Sequence, residues 1–159
     1  MSTSWTNSDG LVVKFGPDRH LDSRPGVIRT NDPVETMEIP FTYDNLPGAV
    51  SGDYGIVNIP AGAYLVEAYI EVGTAFAGGT SLAIGTQQND GTEIDADGIF
   101  TDVELALANL TVGAVIPAAG GADVGTVIDA AHDAYVVVAA TGTFTAGTAK
   151  LVIKYIKGY

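Results

Sequence analysis

The chain of 159 residues contains no cysteine, so disulfides, thiolate nucleophiles and Cys-based zinc sites are excluded. Histidine is nearly as scarce, with His20 in the first segment and His132 far from it. Charge of one sign is also short: Lys and Arg number 7 against 19 Asp and Glu, for a net charge of -12. No Lys or Arg occurs between Arg29 and Lys150. Such a surface repels phosphate backbones, and nucleic-acid recognition begins with a clustered basic patch, so no DNA or RNA partner is expected. Long hydrophobic runs are missing too. Nothing approaches the ~20 apolar residues that cross a bilayer, and no basic start leads into an apolar stretch of signal length. The expectation is a soluble, unprocessed chain with no membrane partner.

What is present is glycine, 20 residues of it, with abundant Ala, Val, Ile and Thr and only 16% charged residues. That composition points away from helical bundles and from disorder. The length suits one core-forming domain that needs neither a metal nor a covalent staple. In "TMEIPFTY", 36 to 43, Met37, Ile39, Phe41 and Tyr43 alternate with polar residues, the period of a half-buried strand. "AYLVEAYIEV", 63 to 72, places Tyr64, Val66, Ala68, Ile70 and Val72 on one face and Glu67 and Glu71 on the other. Further strands are predicted at "YGIVNIP", 80 to 86, 124 to 129, 134 to 140 and 149 to 156. Residues 101 to 110 fit helix and strand templates equally, and "GAVIPAAGGADVG", 113 to 125, reads as a long loop. In the last strand one face carries Lys150 and Lys154 and is expected to be at least partly wet.

Short strands with turn signals about every ten residues describe an all-β, antiparallel β-sandwich of jelly-roll type. The first 35 residues differ. Pro17, Pro25 and Pro33 interrupt them, only "LVVKF" resembles a strand, and Lys14, Arg19, Arg24 and Arg29 alternate with acids. They read as an extended N-terminal arm, 1 to 35, ahead of a β-sandwich domain, 36 to 159. Being the part best able to meet an acidic surface, the arm is the candidate attachment element through Trp5, Lys14, Phe15, Arg19, Arg24 and Arg29.

Parts for catalysis are missing from the sequence. His132 with Asp129 and Asp133 could imitate a base and its orienting acid, yet no serine stands in a nucleophile turn and no oxyanion-hole motif accompanies them. The glycine-rich 113 to 125 lacks the Lys-Ser/Thr ending of a phosphate loop. No enzyme and no cofactor are expected. "EIDADGIFTDVE", 93 to 104, is the one motif-like stretch: Glu93, Asp95, Asp97, Gly98 and Glu104 nearly reproduce a calcium loop. A longer Glu replaces the first Asp and the entering helix is missing, so an acidic turn is the reading taken, with calcium as the alternative. Strand 134 to 140 is apolar on both faces, so it should be central in a sheet or covered by another subunit. Val136, Val137 and Val138, with Leu105 and Leu107, are accordingly either core or a subunit interface.

Three stretches, "IPAGAYLVEAYIEVGTAFAGGTSLAIGT" (59 to 86), "DGTEIDADGIFTDV" (90 to 103) and "GTFTAGTAKLVIKYI" (142 to 156), together resemble the head decoration, or cement, proteins of tailed bacteriophages. The resemblance spans most of 36 to 157, lies in style and strand order, and leaves the arm outside. It implies a homotrimer on the outer surface of the virion capsid that ties neighbouring major capsid subunits together. It also makes DGTEIDADG a connecting element. The rival reading is a carbohydrate- or receptor-binding sandwich of a phage tail or fibre, for which Tyr54, Tyr69 and Tyr159 are available but no aromatic row is evident.

Overall fold

The computed structural model describes residues 3–6, 12–15, 34–46, 53–88 and 90–157. The chain divides into two units, Met1–Asp32 and Pro33–Tyr159. In the first, strand β1 (Thr3–Thr6) pairs antiparallel with β2 (Val12–Phe15), setting Trp5 opposite Val13. The predicted strand at "LVVKF" is thus half of a hairpin. Lys14 and Phe15 end its second strand, while Arg19, Arg24 and Arg29 lie outside the described residues.

The second unit is built from β3 (Val34–Thr42), β4 (Asp53–Ile59), β5 (Tyr64–Gly78), β6 (Ser81–Gln88), β7 (Glu93–Phe100), β8 (Val115–Pro117), β9 (Ala134–Thr141) and β10 (Phe144–Ile156). They form two antiparallel four-stranded sheets, ordered β3-β10-β5-β8 and β4-β9-β6-β7. First and last strands are therefore neighbours, and successive strands alternate between sheets except at β6-β7. This is the strand order of a jelly roll. Among the described residues no helix is long and apolar enough to cross a membrane.

Alternation explains the core. Ile39 and Phe41 from β3, Ile70 and Val72 from β5, Ile84 from β6, Val136 and Val138 from β9, and Leu151 and Ile153 from β10 are all buried between the sheets. At one end Phe41, Phe76 and Phe144 stack, the last two edge to face with ring centroids 5.6 Å apart. Gly147, at φ 136°, is required there, because a Cβ would lie 2.2 Å from the Phe76 ring.

Several sequence-based expectations change. Tyr64 and Val66 do not face the core. Leu65 does, fully buried, because the β10 partner moves from Glu67 at Lys154 to Leu65 at Tyr155, leaving Val66 as a bulge that reverses the inward parity. No strand forms over 124 to 129, where only an isolated bridge joins Val127 to Tyr64. Residues 101 to 110 become turns and a 3-10 segment at Leu107–Asn109, neither α-helix nor strand. The loop 113 to 125 supplies strand β8, and the acidic stretch supplies β7. Strand β9 is central, between β4 and β6. Val136, Val138 and Leu105 belong to the core, Leu107 packs against it, and Val137, on the opposite face of β9, is 4% exposed.

Candidate interaction surfaces

Strand β7 is the edge of its sheet, and its acidic residues are placed by an unusual register. Asp95 lies opposite Thr86 and Phe100 opposite Ile84, so Gly85 alone faces residues 96 to 99. This wide bulge is possible because three glycines remove side chains: a Cβ on Gly85 would sit 2.1 Å from the Asp95 carbonyl, on Gly98 2.4 Å from the Asp123 carboxylate, and on Gly121 2.2 Å from the Gly98 carbonyl. Into the bulge the 119 to 126 loop docks. The Asp123 N–H donates to the Gly98 carbonyl at 2.7 Å, and the Thr86 hydroxyl donates to the Asp123 carboxylate at 2.8 Å, both side chains being buried. Burial holds the Asp123 pKa above the ordinary Asp value, the Thr86 bond opposes that, and Asp95 adds repulsion.

Glu104 anchors the other side of the same loop. Its carboxylate accepts from the Ala119 and Gly120 N–H groups at 2.7 and 2.8 Å and from the Thr101 N–H and hydroxyl at 2.9 and 3.0 Å. Burial raises its pKa, but these donors outweigh that and hold it below the usual Glu value. The twelfth residue of the calcium-like run is thus a backbone clamp. Glu93 is exposed on the strand, and the Asp95 carboxylate accepts from the Asp97 N–H at 3.3 Å. A hydrogen bond with Asp95, then burial and the Asp95 charge, raise the Asp97 pKa. Among the described residues no three His, Asp or Glu converge as a metal site. The stretch is a bulged edge strand, where the sequence suggested a turn.

A shallow groove of about 460 Å³, lined by Ala61, Gln88, Asp90, Ala131, His132 and Asp133, lies at one end of the β4-β9-β6-β7 sheet. His132 Nδ1 is 3.2 Å from the Asp129 carboxylate, which also accepts from the Ala131 and His132 N–H groups. The Ala131 N–H bond chiefly lowers the Asp129 pKa. Asp133 in turn accepts from the Ala61 N–H at 2.8 Å. Both acids are therefore turn-holding groups, and His132 stays exposed.

The outer face of the β3-β10-β5-β8 sheet is different in kind. Lys150 bridges Glu38 at 3.4 Å and Glu71 at 3.0 Å, and Lys154 pairs with Glu67, while beyond the end of β10 Lys157 pairs with Glu35 at 2.8 Å on the side of Tyr155. Each lysine of the sandwich thus has a glutamate on a neighbouring strand, in agreement with a partly wet lysine face. The Glu71 and Glu38 carboxylates raise the Lys150 pKa, burial opposing. At the sheet end Tyr155 donates to Glu35 at 2.6 Å. Burial and that carboxylate push the tyrosine up to about 12, while Lys157 and then Tyr155 lower Glu35. Beside the ladder lies a groove of about 530 Å³ lined by Val66, Tyr69, Val115, Pro117 and Val124 among others. Tyr69 stands opposite Pro117 and Tyr64 opposite Ile156, so two tyrosines share this face without forming a row. The side chain of Tyr54 and the whole of Tyr159 lie outside the described residues.

Sequence reasoning missed the Glu104 clamp and the Thr86–Asp123 pair. The Thr-x-x-Glu spacing at Thr101 to Glu104 was a readable signal for local capture of a backbone N–H, whereas nothing in the sequence joins Asp123 to Thr86.

No family model and no curated protein matches the chain. Solved structures do match. The chain is similar to a chain in the capsid of Ralstonia phage GP4, with a TM-score of 0.56 and 22% identity over 87% of this chain and 93% of that one. A chain of the cyanophage Pam1 capsid asymmetric unit matches with a TM-score of 0.56 and 14% identity over 89% and 99% of the two. A third comes from the acid-stable capsid of Helicobacter pylori bacteriophage KHP30, with a TM-score of 0.50, 17% identity and coverage of 78% and 87%. The jelly roll of this chain is thus a fold that occurs, at nearly the same chain length, in three phage capsids.

Proposed function

We propose that the chain is a phage capsid component, a decoration protein that binds the outer surface of the head and bridges neighbouring major capsid subunits. The observation that carries the reading is the end-to-end likeness to chains of three capsids: coverage of 93%, 99% and 87% of the matched chains means that whole small components, and not domains of larger proteins, share this fold. A rigid cysteine-free sandwich that binds across several shell subunits stabilises the assembled state by mass action, with no chemical step and no cofactor. In this reading the N-terminal unit, with Trp5, Lys14, Phe15, Arg19, Arg24 and Arg29, attaches to the shell, and the sandwich assembles as a trimer. Clustered acids on β7 would then face solvent, keeping particles apart.

Immunogold labelling of virions with antibody against this chain tests the proposal. Dense label over the head is the expected result. Label confined to the tail, together with binding to host glycans, would replace it with the receptor-binding reading.

A further inference from the structure

We infer that the apolar half of the outer face of the β3-β10-β5-β8 sheet, centred on β8, is the contact between copies of this chain. Three of the large apolar side chains left exposed lie along it: Val115 at 63% at one end, and Val127 at 48% beside Tyr64 at 42% at the other. Their placement is set by the fold. Strand β8 lies beside β5 with Val115 opposite Glu71 and Pro117 opposite Tyr69, and the bridge between Val127 and Tyr64 brings the 119 to 128 loop to the start of β5. The bulge at Val66 turns that side chain into the same surface, where it shares a groove with Tyr69, Val115 and Pro117.

Charge identifies the occupant. A molecule with a net charge of -12 cannot lay most of its surface against an identical copy without opposing like charges. Among the described faces of the sandwich this one is the exception. Lys150 and Lys154 stand on it, each paired with glutamate, and the one charged residue lining the groove, Glu67, is paired with Lys154. From Leu105 to Ala122 the sequence carries no charge at all. A second copy therefore meets an apolar centre with a polar rim in which lysines offset all but one of the acids, the anatomy of a stable protein interface. Contact is through side chains. Ala114 and Ala118 direct backbone groups to β5, and Pro117 has no N–H to offer on the free edge, so strand addition and open-ended growth are disfavoured.

The inference deepens the proposed function by locating its self-assembly. The test is sedimentation velocity of the full chain across a micromolar concentration series. Wild type should associate, whereas Val115→Asp and Val127→Asp, changes at exposed positions, should weaken association at least tenfold with an unaltered circular dichroism spectrum. Val103→Asp, at a position 75% exposed in the turn after β7 and not on β5, β8 or the loop bridged to Tyr64, should associate as wild type does. A wild-type chain that stays monomeric to high micromolar concentration overturns both this contact and the proposed trimer. Association that survives Val115→Asp and Val127→Asp overturns the contact alone, and its loss in Trp5→Ala would then assign assembly to the N-terminal unit. Gold label on the head reads the capsid role independently of either result.

Discussion

The β7 side and the β10 face of the sandwich use the same residue types in opposite ways. On β10 every acid of the ladder meets a lysine across the strand, in solvent, as in Glu38–Lys150–Glu71 and Glu67–Lys154. Among the described residues no lysine pairs with an acid of β7, and the two acids that matter structurally, Glu104 and Asp123, are satisfied by backbone N–H groups and a threonine hydroxyl. Exposed ion pairs contribute little to stability but cancel charge, whereas a carboxylate that collects several backbone donors fixes a loop. One sheet thereby gains an outer face on which lysines offset most of the acidic charge, and the other gains an edge that repels further strands.

The comparison can be broken most forcefully at the bulge. Gly121→Ala would drive a Cβ against the Gly98 and Ile99 carbonyls, backbone atoms that cannot step aside, and should destabilise the domain by about 2–3 kcal/mol in urea unfolding. An unchanged midpoint would mean that the loop is not held on β7.

Next in size is Glu104→Gln. The neutral amide keeps part of the geometry but loses the charge-assisted bonds, a cost of about 1–2 kcal/mol at neutral pH. Because the Glu104 pKa is lowered in the fold, its contribution is present above the unfolded value near 4.5 and lost as pH falls through the folded one, so the variant and wild type should converge in acid. Asp123 has the opposite sign. Its folded pKa is raised, so its favourable contribution is whole below the unfolded value of 3.8 and lost as pH rises through the folded value. Asp123→Asn should therefore gain in melting temperature relative to wild type as pH rises from about 4 to about 7. A parallel pair of curves would show that Asp123 does not titrate differently in the fold.

Smallest are charge reversals on the two surfaces. Glu93→Lys on the uncompensated edge should raise the melting midpoint by roughly a degree, and Glu67→Lys, which sets a cation against Lys154, should lower it by a similar amount. Both changes should shrink in high salt. Equal signs for the two variants would erase the distinction between the surfaces.

Much of the sandwich was legible because its long strands alternate: Ile39 and Phe41, and Leu151, Ile153 and Tyr155, are buried as their period requires. In β5 the same rule failed at one place, since a single bulged residue, Val66, shifts parity and no local signal marks it. Strand β7 was illegible for another reason. Alternating acids followed by glycine suit a turn or a cation loop as well as an edge strand, and only the neighbours Gly85, Gly121 and Asp123 select the strand. Strand β8 is three residues long and exists through its partner β5.

By itself, then, the sequence determined an acidic, cysteine-free, two-layered β structure, because composition and period-2 patterning act within a few residues of chain. Tertiary structure decided which acids would be neutralised, which would clamp a loop and which valines would remain outside. Those outcomes depend on register between strands far apart in sequence: Lys154 meets Glu67, Asp123 meets Thr86, and Val127 meets Tyr64 only after the sheets have formed.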